Sequence, residues 1–502
     1  MPNIFAYLVL FSWPLVAVAL FRTMSLERAL VWTLIGGHLL LPSETGIKFP
    51  MLPTLDRSLI PSISALVLCM VMAPKLTLSP DLSARTGRKV IFGLLALVII
   101  TPILTVLQNT QPFIDGRVFL PGLRLYDGYG LISQILFQMI PLYLGIRYLN
   151  TREGHKVLLE VIALGGLAYT LPALLEIRLS PQLHRWVYGF FPHDFAQQVR
   201  DGGFRPVVFL NHGLMVGIFF CMSIIASVVL FREARREGRT AWTWLAAALW
   251  LTMVLFLSKS LGALVIGLIF ALVALFLGRR IQVTVAVAVA MIVMLYPMLR
   301  GAGLIPVDTV YNMALSISED RAASLKFRLD NEDALLTHAN EKPIAGWGSW
   351  GRNSLWDPET GRMTSITDGI WLNFIGVYGW LGYIGRFGLL TVPILFFAMR
   401  RKTFGPSLIT PGLIMVLSST LIDLLPNAGL VNYVWLMAGS VAGFVLWQKQ
   451  QAGGPVANAS PEGVLSGMVT PAGPRASWLM VEENALPTRR QDRLKPAKGR
   501  ML

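Results

Sequence analysis

Charge is what this sequence has least of. Of 502 residues only 14% are charged, while 54% are hydrophobic and the mean hydropathy is +0.59. A soluble globular chain carries about 25% charged residues. The deficit excludes a disordered chain, a coiled coil and an ordinary cytosolic enzyme. Cysteine is also scarce. Cys69 and Cys221 lie in separate apolar runs, which excludes a disulfide framework and leaves no metal-ligand spacing. Strands of alternating polarity are absent, so an outer-membrane barrel is excluded. No internal repeat of the kind seen in many secondary transporters is visible.

What is present is a series of apolar runs of about 17–25 residues, the length that crosses roughly 30 Å of hydrocarbon. About thirteen apolar runs are read, at 4–21, 29–41 (short), 58–74, 89–107, 131–149, 156–177, 206–231, 241–258, 261–278, 281–299, 369–399 (long), 406–424 and 428–447. They predict an all-α polytopic membrane protein with about 12–13 transmembrane helices. The run at 4–21 contains Ala17-Val18-Ala19, which resembles a signal-peptidase site, but no basic segment precedes it, so a retained helix is expected.

The net charge of +15 would suggest nucleic acid in a soluble protein; here it is read through the positive-inside rule, and no nucleic-acid partner is expected. Lys75, Arg85, Arg88 and Lys89 share one short connector, and Arg147, Arg152 and Lys156 flank the next. Arg232, Arg235, Arg236 and Arg239 follow, then Arg279 with Arg280, then Arg400, Arg401 and Lys402. Placing all of them in the cytoplasm gives one alternation to a cytoplasmic C-terminus, with the N-terminus outside for thirteen spans. Four longer segments then face the other side: 42–57, 108–130, 178–205 and 300–367.

The chain thus divides into N-terminal membrane helices (1–299), a large outer loop (300–367), C-terminal helices (368–447) and a tail (448–502). The tail is rich in Pro, Gly, Ala and Ser, is expected to be disordered, and ends in a basic cluster from Arg489 to Arg500 suited to anionic lipid or plain solvation. The loop holds seven basic and nine acidic residues, so it is not a cytoplasmic connector. Apolar positions at Leu325, Leu329, Ala334, Leu335 and His338 predict a helix over 318–340.

Ionisable residues within the runs are few: Glu160, Glu176, Arg386 and Asp423. Polar chemistry concentrates in the outer segments, so the expected site is at the membrane face. Segment 178–213 interleaves Arg200 and Arg205 with three histidines and with Trp186, Tyr188, Phe190, Phe191, Phe195 and Phe204. Arginine forks bind phosphate oxygens bidentately; the same pattern also suits an interfacial aromatic belt with snorkelling arginines. In the loop, Gly346, Gly348 and Gly351 surround Trp347 and Trp350, whose indoles suit a carbohydrate platform. Gly379, Gly382 and Gly385 suit close helix packing. Asp368 stands at the mouth of a run, where it suits either a base or a helix N-cap.

These motifs resemble the O-antigen ligase and O-antigen polymerase superfamily of bacterial surface-polysaccharide assembly. Arg321-Ala-Ala-Ser-Leu325 matches the family's Arg-x3-Leu. Asp368-Gly369, nine residues, then Gly379-Trp-Leu-Gly382 matches the spacing of its His-[Asn/Ser/Gln]-x9-Gly-x-x-Gly. Lys342-Pro343-Ile-Ala-Gly346-Trp-Gly348 resembles the turn before it, and Arg200 through Asn211 resembles the family's Arg-rich entry to a middle span. Two departures stand out. Asp368 replaces the ligase histidine, and Ser260-Leu261-Gly262-Ala263 lacks the arginine of the family's Ser-Arg-Gly-Ala, with Lys259 beside it. They point away from a lipid A–core ligase and towards a polymerase-like or specialised member.

The resemblance implies a GT-C-like architecture and an inverting, metal-independent glycosyltransferase without a cofactor. It would act on polyprenyl-pyrophosphate-linked oligosaccharide at the periplasmic face of the inner membrane, with a glycan or lipid acceptor and other polysaccharide-assembly proteins as partners. Asp368 and Glu332 are then candidate bases, Arg200, Arg205, Arg321, Arg328 and Lys259 candidate pyrophosphate ligands, and Trp347 and Trp350 candidate sugar contacts. A transporter or flippase, and a scaffold in a secretion complex, are the competing readings.

Overall fold

The computed structural model describes residues 1–49, 52–72, 78–80, 84–200, 202–317 and 319–449. The expected disordered tail from 450 onward, Lys75 of the first basic connector and the side chain of Arg321 lie outside the described residues. The helices are α1 (Ile4–Thr23), α2 (Leu26–Leu40), α3 (Leu59–Met72), α4 (Arg85–Gln108), α5 (Leu125–Gln138), α6 (Ile140–Tyr148), α7 (Arg152–Leu179), α8 (Leu183–Tyr188) and α9 (Gly213–Arg236). They continue as α10 (Trp242–Leu257), α11 (Leu261–Phe276), α12 (Arg279–Gly301), α13 (Val307–Ile317), α14 (Glu319–Asn340), α15 (Ile370–Met399), α16 (Ile409–Asp423) and α17 (Asn432–Leu446). Extended pairing among the described residues is limited to short two-stranded ladders and one isolated bridge.

The chain is an all-α multi-pass membrane protein. Every predicted apolar run coincides with a helix. Seven helical segments, with α5 and α6 counted as one run from Leu125 to Tyr148, are long and apolar enough to cross a membrane. Five further apolar helices run only 14–16 residues. At 1.5 Å per residue these reach about 21–24 Å, short of roughly 30 Å of hydrocarbon. Length and apolarity alone identify seven of the 12–13 expected spans; the apolar runs continue past the helix ends into capping and loop residues.

Helix α9 is apolar on all sides and accordingly buried on nearly all of them. It packs against α7, α10, α11 and α16, while α15 packs against α4, α12, α14 and α17. The basic connectors sit together at one end. Arg279 donates to the Phe404 carbonyl (2.9 Å), Arg236 to that of Pro406, and Glu233 accepts from the Leu408 amide (2.9 Å). At the other end, Asn3 at the start of α1 donates from its amide to the Tyr188 carbonyl (2.9 Å), which puts the N-terminus on the same face as segment 178–205.

Two of the carboxylates read within the runs have structural partners. Glu160 pairs with Arg28 at 2.6 Å. Glu176, 1% exposed, accepts from the backbone amides of Leu183 (2.8 Å), Val207 (2.7 Å) and Val208 (2.7 Å). It holds Val208 at φ 55°, a conformation costly for a β-branched residue. Glu176 therefore anchors the whole outer segment between α7 and α9. Glu176→Ala strands two buried donors and one partly buried donor, at about 1–3 kcal/mol for each buried one. We expect a loss of at least about 3 kcal/mol in thermal unfolding of the detergent-solubilised protein, with Glu176→Gln clearly less affected.

Candidate functional site

The site is built on a broken helix. Within α15, Gly379 takes φ 67° and ψ −174°, so residues 370–378 and 380–399 are two helical pieces. The break frees backbone groups, and the loop before it satisfies them. The Trp347 and Gly348 amides donate to the Gly376 and Val377 carbonyls (2.8 and 3.0 Å). The Trp380 and Leu381 amides donate to the Pro343 and Ile344 carbonyls (2.7 and 3.4 Å). Helix α4 clamps the same turn: Thr105 donates to the Ala345 carbonyl (2.6 Å) and Asn109 to that of Gly346 (2.9 Å), while Lys342 donates to the Asn109 side chain (2.6 Å). The 343–348 turn and the Gly379-x-x-Gly382 motif, separate in sequence, are therefore two halves of one joint. Arg386, 1% exposed, lies just beyond it against the rings of Tyr378 (3.7 Å) and Phe374 (5.0 Å).

The joint absorbs Trp347. Its ring is stacked on His338 at 4.5 Å, Lys342 stands 4.1 Å from its centroid, and Phe113 packs edge-on at 5.6 Å. Its Nε1 donates to the His338 carbonyl (2.8 Å). An indole packed on both faces is not an open platform, so the expectation of a sugar contact at Trp347 is replaced by a packing role. Trp350 is 53% exposed and lines a cavity.

Asp368 stands just before the first piece of α15. The N-cap of that helix is Gly369, with no side-chain cap, so Asp368 is not the cap. Instead its Oδ2 meets Arg328 Nε at 3.3 Å, with both side chains partly exposed. Arg328 comes from α14, which spans 319–340 as predicted. Leu335, Leu336, Ala339 and His338 form its buried face, and Ala334, expected on that face, points outward. Glu332, one helical turn after Arg328, is buried. It accepts from the Tyr296 hydroxyl (3.3 Å), and Arg300 Nε lies 3.7 Å away. Arg300 is itself buried and pairs with Asp333 at 2.9 Å. Arg321 falls in the first turn of α14.

A second basic group gathers around the α10–α11 junction. Lys259, at φ 54° between α10 and α11, donates to the Arg200 carbonyl (2.9 Å). Arg205, buried, donates to the Lys259 carbonyl (3.3 Å). Between the halves sits His212, the N-cap of α9, whose Nδ1 accepts from the Leu214 amide (3.0 Å), with His193 edge-on at 4.9 Å. Burial, then the charges of His193, Arg205, Arg200 and Arg328, lower the His212 pKa to about 4, so it is neutral near pH 7. That Arg328 acts on His212 together with Arg200 and Arg205 ties the two halves into one electrostatic site.

Burial pushes Glu332 up to about 7, against the opposing attraction of Arg300 and the Tyr296 hydrogen bond; the negative charges of Asp333 and Asp368 push the same way as burial. One face of the molecule thus carries a cluster of cations beside two carboxylates, one of which changes charge near neutrality. Such perturbed groups concentrate at functional sites. The structure pairs Arg328 with Asp368, whose charge also acts on Glu332, and groups Arg200, Arg205 and Lys259; His212 feels Arg200, Arg205 and Arg328 alike. Sequence reasoning missed Arg300 and Tyr296, which set the Glu332 environment; their only signal was a lone arginine and tyrosine at the outer end of a run. Compared with models of known families and with curated proteins, the sequence matches none, so the function is argued from this site.

Proposed function

We propose that the protein is an inner-membrane glycosyltransferase that polymerises or transfers polyprenyl-pyrophosphate-linked oligosaccharide at the periplasmic face, in the manner of O-antigen polymerases and ligases. The observation that carries this reading is the Arg328–Asp368 pair at 3.3 Å, set beside Glu332 and opposite Arg200, Arg205 and Lys259. Glycosyl transfer from a pyrophosphate donor needs two groups side by side: cations to offset charge on the leaving pyrophosphate and a carboxylate to take the acceptor's proton.

On this reading an acceptor hydroxyl gives its proton to Asp368 as its oxygen bonds to the anomeric carbon. The bond from that carbon to the pyrophosphate oxygen breaks from the opposite face, with inversion. The electron pair leaves on the polyprenyl pyrophosphate, held by the Arg200, Arg205, Lys259 and Arg328 cluster. No cofactor and no metal enter this scheme. Asp368 is the reacting carboxylate because its side chain is 31% exposed, whereas that of Glu332 is 10% exposed. Glu332 acts through charge: once ionised, it adds a negative charge to the site where the acceptor's proton is taken up.

The pH dependence follows. Below about 7 Glu332 is protonated and neutral; above it a second negative charge stands beside the Arg328–Asp368 pair and stabilises the acceptor proton as it leaves its hydroxyl. We expect turnover to rise through pH 7, and Glu332→Gln, which fixes the neutral state, to flatten that limb and hold the rate near the low-pH level. Initial rates of polymer formation between pH 5.5 and 8.5 check this; a limb unchanged in Glu332→Gln would remove Glu332 from the mechanism. In cells, Asp368→Asn and Arg328→Ala should each abolish long polymer; normal polymer yield and length in both would overturn the assignment.

A further inference from the structure

A cavity of about 720 Å³ opens on the outer face away from the charged cluster, between the 42–57 segment, α5, Trp350 and the start of α17. Its volume falls within the roughly 300–1,000 Å³ of small-ligand sites. One wall is a stripe on α5: Tyr126, Gly130, Gln134 and Gln138, spaced four residues apart so that they share a face. From Tyr126 to Gln138 the stripe descends about 18 Å. It belongs to the apolar run Leu125–Tyr148, which is long enough to cross the membrane. Two glutamines in a membrane-crossing helix that line a cavity are unusual, because unpaired amides in apolar surroundings are costly. Gln134 is exposed and Gln138 half-buried on the cavity wall, so both amides are open to a polar ligand that enters it.

The other linings narrow the chemistry. Trp350 contributes its indole from a left-handed backbone, φ 60°, a strained state for a bulky residue and one that clusters at functional sites. Phe49 and Tyr126 add further rings. The ionisable residues lining the cavity are Lys48 against Asp56 and Asp127, a net negative balance. Asp56 accepts from the Ser58 and Leu59 amides (2.9 Å each) and Asp127 from the Arg124 amide (2.7 Å), so both carboxylates are fixed in place at the wall. A negative wall disfavours phosphate and pyrophosphate. A prenyl chain would leave the glutamine amides unpaired. Aromatic faces combined with amide groups suit a neutral, hydroxyl-rich ligand: C–H faces stack on rings while hydroxyls pair with Gln134 and Gln138.

We propose that this cavity is a saccharide-binding site that takes a neutral stretch of a short oligosaccharide. Its place in a reaction, holding the sugars of the acceptor or growing chain, rests on the glycosyltransferase reading; its ligand chemistry does not. The two are separable because Asp368 does not line the cavity.

The test uses the full chain in lipid nanodiscs and, as probe, oligosaccharides of two to six sugars released by partial acid hydrolysis from the surface polysaccharide of the source cells. Binding is read by saturation-transfer NMR. Gly130 carries the decisive substitution. A side chain there meets open space in the cavity, with no neighbour within 4 Å of its first carbon, and leucine favours a helix over glycine, so Gly130→Leu fills the site without harming the fold. The wild type and Asp368→Asn should bind alike. Gly130→Leu, and separately Gln134→Leu with Gln138→Leu, should weaken binding at least tenfold while keeping the wild-type melting temperature or raising it. Excess inorganic pyrophosphate should leave the signal unchanged. Wild-type affinity in Gly130→Leu, no binding by the wild type at any length, or displacement by pyrophosphate would each overturn the proposal. Normal polymer in Asp368→Asn cells would overturn the transferase reading alone.

Discussion

Asp368→Asn should lower glycosyl transfer by about a hundred- to ten-thousand-fold, the range associated with one positioned acid–base group, while the protein reaches the membrane at wild-type level. The expectation rests on the local geometry. Asparagine preserves the size of the side chain and an oxygen for Arg328, 3.3 Å from Asp368 Oδ2. Because Gly369, not Asp368, is the N-cap of α15, the exchange removes no helix cap. What it removes is the negative charge and the ability to take a proton. Arg328→Ala should also be severe, since it deletes a cation proposed to hold the pyrophosphate and the ion-pair partner of Asp368; Arg328→Lys keeps the charge and should recover part of the activity. Polymer yield normalised to membrane protein measures all three. A reduction in Asp368→Asn that merely tracked a loss of protein would reassign the residue to folding.

The largest effect on folding is expected at the helix break. Gly379→Val places a β-branched residue at φ 67°, and its Cβ collides with the backbone carbonyl of Ile344. Strain of that kind costs of order 1–3 kcal/mol. Displacing the 343–348 turn also forfeits backbone hydrogen bonds from Trp347, Gly348 and Trp380, at about 1 kcal/mol or more each. The sum, about 4 kcal/mol or more, is a large share of a typical stability of 5–15 kcal/mol. We expect Gly379→Val not to accumulate as a monodisperse membrane protein. Gly346→Val should behave the same way, because Gly346 is at φ 70° and a Cβ there would stand 2.6 Å from the Gly379 amide nitrogen. Gly93→Ala on α4, with open space around it, is the neutral control. Fluorescence-detected size-exclusion profiles separate the three.

The helices were legible because each answers to one local signal, an apolar run, and every run became a helix. Which of them reach across the bilayer was less legible, because a run does not mark where backbone capping stops the helix: α16 and α17 end inside their runs. Most of the charged site residues were legible as residue types; their relations were not. Trp347 and Trp350 are three positions apart in one glycine-rich stretch, yet one is packed beneath His338 and the other lines a cavity. Only the partner of that stretch, 30 residues further on at Gly379, decides which is which. Asp368 could serve as cap or base until Arg328, 40 positions earlier, was seen beside it. Glu176 read as an ionisable group in a span, but its three amide partners come from the next segment. In each case the deciding contact is long-range, and composition and periodicity report only on neighbours along the chain.

The central claim is that the cluster around Asp368 transfers sugars rather than moving or merely holding a lipid-linked glycan. The most direct measurement is reconstitution of the purified protein in liposomes with a polyprenyl-pyrophosphate-linked repeat unit. Lengthened or transferred saccharide should appear together with released polyprenyl pyrophosphate, and both should disappear in Asp368→Asn. Movement of the lipid-linked unit between leaflets with no new glycosidic bond and no released polyprenyl pyrophosphate would contradict it.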